Sequence, residues 1–170
     1  LIGAASSRLA RTAVVDPAGR PKIDRHRTAW GASFGPGTIE LPIVKIVDML
    51  TRFAGVPQEC GEPMTILHYG KGEEYRPHHD FLASTEDDLV KRGQRVQTAL
   101  IYLNSGYKGG ETHFLAPDLK VSGARGDVIL FRNVDETGAP DVAARHASLP
   151  VVSGEKWLAS LWIRDRRYIP

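Results

Sequence analysis

The 170-residue chain is 42% hydrophobic and 25% charged, ordinary for a globular protein and long enough for a single domain, residues 1–170, with a real core. Twenty-two Lys and Arg against twenty Asp and Glu leave a net charge of +2, which argues against a nucleic-acid partner, and no apolar run approaches the roughly 20 residues of a membrane span. Cys60 is the single cysteine, so no intramolecular disulfide can form, and a reducing, cytoplasmic setting is compatible.

The N-terminal segments "DPAGRPK" (16–22) and "GASFGPGT" (31–38) read as turns. Between Pro42 and Ala54, Ile43, Val47, Leu50 and Phe53 recur at helical spacing with Ile46 beside them, and Gly55 and Pro57 stop the run. This predicts one amphipathic helix packed on a sheet. The signal then changes. "MTILHYG", "RVQTALIYLN", "GGETHFL", "GDVILFRNV", "HASLPVV" and "KWLASLWIR" are short, β-branched or aromatic, and bounded by turn residues. Six such strands with few helices predict a mainly β (α+β) sandwich or jelly roll. One helix interrupts them in "STEDDLVKRG", with Ser84 or Thr85 as N-cap, acids in its first turn, and Lys91 and Arg92 in its last.

Chemistry concentrates in "YGKGEEYRPHHDF" (69–81). Side chains alternate along an extended segment, so His78 and Asp80 share a face and His79 points away. A pair at i and i+2 can hold one ion. Alone, His-x-Asp is also the pattern of a surface histidine beside an exposed aspartate, so a third ligand decides the matter. His26, His68, His113 and His146 are the candidates. Two His and one carboxylate on one face of an octahedron leave three positions open, the ligand set of non-haem Fe(II) oxygenases. A structural zinc site would use four protein ligands and often Cys, of which the chain has one.

Taken in order, "YGKGEEYRPHHD", "RVQTALIYLN", "GGET", "RHASLPV" and "GEKWLASLWIR" give the chain a resemblance, from about Arg8 to Ile169, to the prolyl 4-hydroxylase family of Fe(II)/2-oxoglutarate-dependent dioxygenases. The resemblance implies a double-stranded β-helix (jelly-roll) core with flanking helices. It implies that His78, Asp80 and His146 bind Fe(II), and that Lys156 pairs with the distal carboxylate of 2-oxoglutarate, helped by the hydroxyls of Tyr69 and Thr112. Tyr75 and Trp162 match positions that flank a substrate proline, and Arg95 matches an arginine near the substrate backbone. The implied reaction couples O2-driven decarboxylation of 2-oxoglutarate, giving succinate and CO2, to hydroxylation of a proline-containing peptide or protein, with ascorbate as a reductant.

The chain departs from the family at Arg164, where histidine is frequent. On an extended strand Arg164 shares a face with Trp162. It is expected at the mouth of the site, binding with Arg95 an anionic or carbonyl-rich group of the substrate; the plain alternative is a solvated rim arginine. Two further readings stand beside the family's own: a hydroxylase of a free amino acid or other small molecule on the same fold, and a jelly-roll module that binds without turnover. The second gives the triad and Lys156 no joint purpose.

Overall fold

The computed structural model describes residues 1–15, 21–23, 26–35, 40–83 and 86–168. Fourteen strands follow one another: β1 (Ala10–Arg11), β2 (Ala13–Val15), β3 (Pro21–Ile23), β4 (Trp30–Phe34), β5 (Met64–Tyr69), β6 (Tyr75–His78), β7 (Arg95–Tyr102), β8 (Lys108–Gly109), β9 (Thr112–Phe114), β10 (Leu119–Val121), β11 (Val128–Arg132), β12 (His146–Ser148), β13 (Val151–Ser153) and β14 (Lys156–Arg164). Helix α1 is Ile2–Ser6, α2 is Leu41–Phe53 and α3 is Glu86–Arg92. A six-stranded sheet, ordered β1-β4-β5-β14-β7-β11, accompanies a four-stranded sheet, β10-β9-β12-β6, with two small ribbons besides. All strand pairs are antiparallel, and the fold is a jelly roll, mostly β.

Strand β14 runs between β5 and β7 and is buried on both faces, which is why "KWLASLWIR" carries so few exposed polar groups. Its alternation divides the core. Ala159, Leu161 and Ile163 pack with Ile66, Ala99 and Ile101 against Ile43 and Leu50 of α2. Leu158 joins Leu67, Leu100 and Tyr102 in a separate cluster with Val151, Tyr75 and Phe131. The site grows from this second face.

Helix α2 begins with a proline in its first turn and ends before Gly55, whose φ of +78° suits glycine. Ile43 and Leu50 are buried, but Phe53 is 76% exposed. At 100° per residue it lies about 80° off the line through Ile43, beyond the apolar stripe. The expected turn at 31–38 is corrected for its first half: Gly31–Phe34 belong to β4. A Cβ on Gly31 would meet Thr12 Cγ2 at 2.6 Å, so this glycine marks a close approach and not a bend. The strand predicted over "HASLPVV" is two strands, β12 and β13, broken at Leu149 and Pro150. The expected caps Ser84 and Thr85, most of 16–22 and the end of 31–38 lie outside the described residues.

Candidate iron and 2-oxoglutarate site

His78 ends β6, and the antiparallel register sets it directly opposite His146 at the start of β12. That pairing joins two histidines far apart in the chain. Asp80 follows His78 by two residues, and ligand atoms of all three lie within 4.8 Å of one another. Nε2 of His78 is 3.8 Å from Asp80 Oδ1, and Nε2 of His146 is 3.9 Å from Asp80 Oδ2. Each histidine directs Nδ1 at the carbonyl oxygen two residues before it, His78 to Arg76 at 2.8 Å and His146 to Ala144 at 2.9 Å. A carbonyl only accepts, so Nδ1 carries the proton and Nε2 keeps its lone pair for a metal. Burial, with His146 beside it, holds His78 well below its ordinary pKa and therefore neutral at pH 7. Burial alone would raise Asp80, but the neighbouring imidazoles, Arg95 and a hydrogen bond from Thr98 outweigh it and keep the carboxyl ionised. Two imidazoles and one carboxylate converging in a buried pocket fit a divalent iron.

Thr98, Asn133 and Phe131, unseen from the sequence, support this triad together with Tyr75. Thr98 Oγ1 donates to Asp80 Oδ2 at 2.8 Å, and Asn133 Nδ2 donates to Thr98 Oγ1 at 2.9 Å. The Tyr75 ring stacks on His78 with centroids 3.5 Å apart, and Phe131 meets His146 edge-on at 5.0 Å. The other candidate histidines are placed elsewhere: His68 faces Glu155 at 3.3 Å, His113 bonds Asp118 at 2.8 Å, and His26 is exposed.

The triad opens on a cavity lined also by Tyr69, Tyr75, Thr112, Ser148, Ser160 and Trp162. Arg27 lines it too, its guanidinium 4.7 Å over the Tyr75 ring. It comes from the N-terminal stretch that gives no strand signal.

Lys156 opens β14, paired in register with Tyr69 of β5, and is fully buried. Its ammonium donates to the Gly110 carbonyl at 2.6 Å and to Ser148 Oγ at 3.0 Å. Gly110 has φ +69°, and a Cβ there would come within 3.3 Å of the lysine chain. Burial pushes the Lys156 pKa down to about 7, with Glu111 opposing weakly. Burial raises the Tyr69 phenol, which stays protonated. Thr112 lines the cavity and accepts from the Tyr102 hydroxyl at 3.0 Å.

Of the four expected substrate residues, Tyr75 and Trp162 line the cavity; Arg95 and Arg164 do not. Arg95 grips Glu62 through Nε and a terminal nitrogen at 2.6 and 2.7 Å, and its guanidinium lies 4.1 Å from the Trp162 ring centroid. Arg164 is 4% exposed and donates to the same carboxylate and to the Gly93 carbonyl. The placement expected for Arg164, at the mouth or on a solvated rim, is therefore corrected: a buried glutamate, distant in sequence, draws it inward. The pairing also slips by one residue here, from Ile163 opposite Gln97 to Arg164 opposite Arg95. This geometry lends no support to an anion-binding role for Arg95 and Arg164.

Comparison with known proteins agrees with this geometry. Prolyl 4-hydroxylase 1 of Arabidopsis thaliana is 37% identical over 139 residues, covering 74% of this chain and 49% of that protein. Prolyl 4-hydroxylase subunit alpha-1 of Rattus norvegicus is 30% identical over 95% of this chain and 31% of its own length. The chain thus spans about half the length of the first of these relatives and less of the second. The crystal structure of the viral collagen prolyl hydroxylase of Paramecium Bursaria Chlorella virus-1, in complex with 2OG, superposes with a TM-score of 0.72 at 29% identity, covering 96% of this chain and 86% of that one. Residues 64–164, which carry all three triad residues and Lys156, match the family description itself: the chain belongs to the 2OG-Fe(II) oxygenase superfamily.

Proposed function

We propose that this chain is an Fe(II)- and 2-oxoglutarate-dependent hydroxylase of prolyl residues in a peptide or protein. The observation that carries the reading is one cavity with an iron-ligand triad on its wall, two aromatic walls, and a buried cation reached through Ser148. His78, Asp80 and His146 would hold Fe(II), which when bound would supply the O2 chemistry for decarboxylating 2-oxoglutarate to succinate and CO2 and hydroxylating a C–H bond.

The chain's own residues bind, orient and exclude water. Lys156 and Tyr69 take the distal carboxylate of 2-oxoglutarate, a partner that a desolvated ammonium with only neutral acceptors otherwise lacks. Thr112 borders the same end. Trp162, backed by Arg95, presents a flat apolar face suited to a pyrrolidine ring, and Tyr75, fixed by its stack on His78, lines the cavity with it. Trp162 Nε1 is buried and has no acceptor among the described residues; a substrate carbonyl supplies one. Positioning of this kind holds the target carbon near the metal.

The test is mass spectrometry of proline-containing peptides after incubation with Fe(II), 2-oxoglutarate and O2, with succinate measured in parallel and free proline as a second substrate. One added oxygen on a prolyl residue, matched by succinate, is expected. Succinate coupled to free proline and not to any peptide would overturn the peptidyl reading.

A further inference from the structure

Ser148 has no part in the roles assigned so far, yet it stands where the cavity meets the buried lysine. It lies two residues after His146 on β12, so both side chains face the cavity, and it is itself buried. Its oxygen accepts from the Lys156 ammonium, whose nitrogen lies 5.3 Å from the Tyr69 ring centroid.

Counting protons shows what this arrangement leaves over. An ammonium has three N–H donors and no acceptor, and each hydroxyl has one proton. Lys156, Ser148 and Tyr69 therefore hold five polar protons. One goes to the Gly110 carbonyl and one from Lys156 to Ser148. The third N–H of Lys156 finds no acceptor among the described residues, and the Tyr69 hydroxyl belongs to the lining of the same cavity. A carboxylate has two oxygens and only accepts.

We infer that Ser148 is a positioning residue of the carboxylate-binding end of the cavity, holding the Lys156 ammonium beside Tyr69 so that one N–H of the lysine and the O–H of the tyrosine face the two oxygens of the distal carboxylate of a 2-oxo diacid. The inference rests on the 2-oxoglutarate reading of this cavity. It goes beyond that reading in assigning the serine. Without Ser148 the ammonium keeps one fixed acceptor, Gly110, and its long stem is free to leave the phenol; the two donors then no longer form a matched pair.

The test is anaerobic calorimetric titration of the Mn(II)-loaded protein with 2-oxoglutarate and with 2-oxobutanoate, which has the metal-chelating end but no distal carboxylate. Wild type, Ser148→Ala, Ser148→Thr and Lys156→Ala are compared. Wild type should prefer 2-oxoglutarate. Ser148→Ala should lose about tenfold in 2-oxoglutarate affinity, the weight of one hydrogen bond to a charged group, with 2-oxobutanoate and Mn(II) binding unchanged. Ser148→Thr, which keeps the hydroxyl, should restore most of the loss. If Ser148→Ala binds 2-oxoglutarate like wild type while Lys156→Ala does not, the serine assignment falls and the cavity reading stands. Equal loss of both ligands in Ser148→Ala would mark a purely structural role and also overturn it. If wild type itself shows no preference for 2-oxoglutarate, the cavity reading fails and takes the serine with it.

Discussion

Strand β14 carries a buried cation at each end of one face, and the two are treated in opposite ways. At its start, among the described residues, Lys156 meets only neutral acceptors, the Gly110 carbonyl and the Ser148 hydroxyl. At its end, Arg164 shares the Glu62 carboxylate with Arg95. Burying a charge without a counter-ion is costly, so the first end is poised for an anion from outside, while the second has its anion built in. The contrast separates a ligand subsite from a structural tie, although both look alike in the sequence as basic residues in an apolar strand.

Removing the built-in anion should have the largest effect. Glu62→Ala leaves a buried guanidinium and a partly buried one without their carboxylate and should cost about 3–5 kcal/mol of stability, read as a lower denaturation midpoint at constant m-value. The folded fraction should still bind 2-oxoglutarate. An unchanged midpoint would mean that the arginines are satisfied without Glu62.

The opposite end should respond with the opposite sign. Lys156→Met replaces a desolvated cation by an apolar chain of similar length, so stability should hold or rise. The lost charge pair should weaken 2-oxoglutarate binding by about 2–5 kcal/mol, roughly two orders of magnitude or more, with metal binding retained. Titration calorimetry on the Mn(II)-loaded protein measures both. Retained affinity would place the distal carboxylate elsewhere.

Between the two ends lies Asp80, whose geometry is set through Thr98. Thr98→Val keeps the shape and removes the 2.8 Å bond. It should lower metal affinity by about 10- to 100-fold, the usual weight of a partner that orients a ligand. Competition of Mn(II) or Fe(II) against a chelating dye tests this. A wild-type affinity would show that Asp80 is held by its burial alone.

The difference between the ends also explains what could be read from the sequence. Alternation placed His78 with Asp80, because side-chain period is a local property, whereas Lys156 came from the family resemblance. Ser148 was equally legible, two residues beyond His146, but a serine carries no signal until the lysine beside it is known. Glu62 was not legible, since nothing near Arg164 or Arg95 in sequence names the carboxylate that faces them. Strand β6 escaped for a different reason. Its "YRPH" holds a proline and charged neighbours, tolerated because β6 is the edge of its sheet. Strand β4 was hidden by Gly31, whose small size serves close packing against Thr12.

The smallest effect, and the one that bears most directly on the contrast, is the pH dependence of the lysine end. Burial pushes Lys156 down to about 7, against an ordinary value of 10.5. Between those values the unfolded chain holds a proton that the folded chain lacks, so this residue makes stability rise with pH across that window. Below about 7 the lysine is charged in both states and the full cost of burial remains. Binding runs the other way. A carboxylate needs the ammonium, so below about pH 7 the free site is ready, and above it the ligand must bring a proton with it. Affinity for 2-oxoglutarate should therefore fall as pH rises from about 7, by at most roughly tenfold per pH unit, with proton uptake on binding. Titrations at about pH 6 and about pH 8.5, each in two buffers of different ionisation enthalpy, measure the slope and the uptake together. The charged neighbour that opposes the shift is Glu111, and the rings of Tyr69 and Tyr102 stand 5.3 and 5.7 Å from the ammonium. Lys156→Met provides the control, because a slope arising at the metal end would survive the substitution. A flat profile in wild type would mean that neutral acceptors and two aromatic faces suffice to keep a buried lysine charged, and the distinction between the two ends of β14 would then lie in geometry and not in charge.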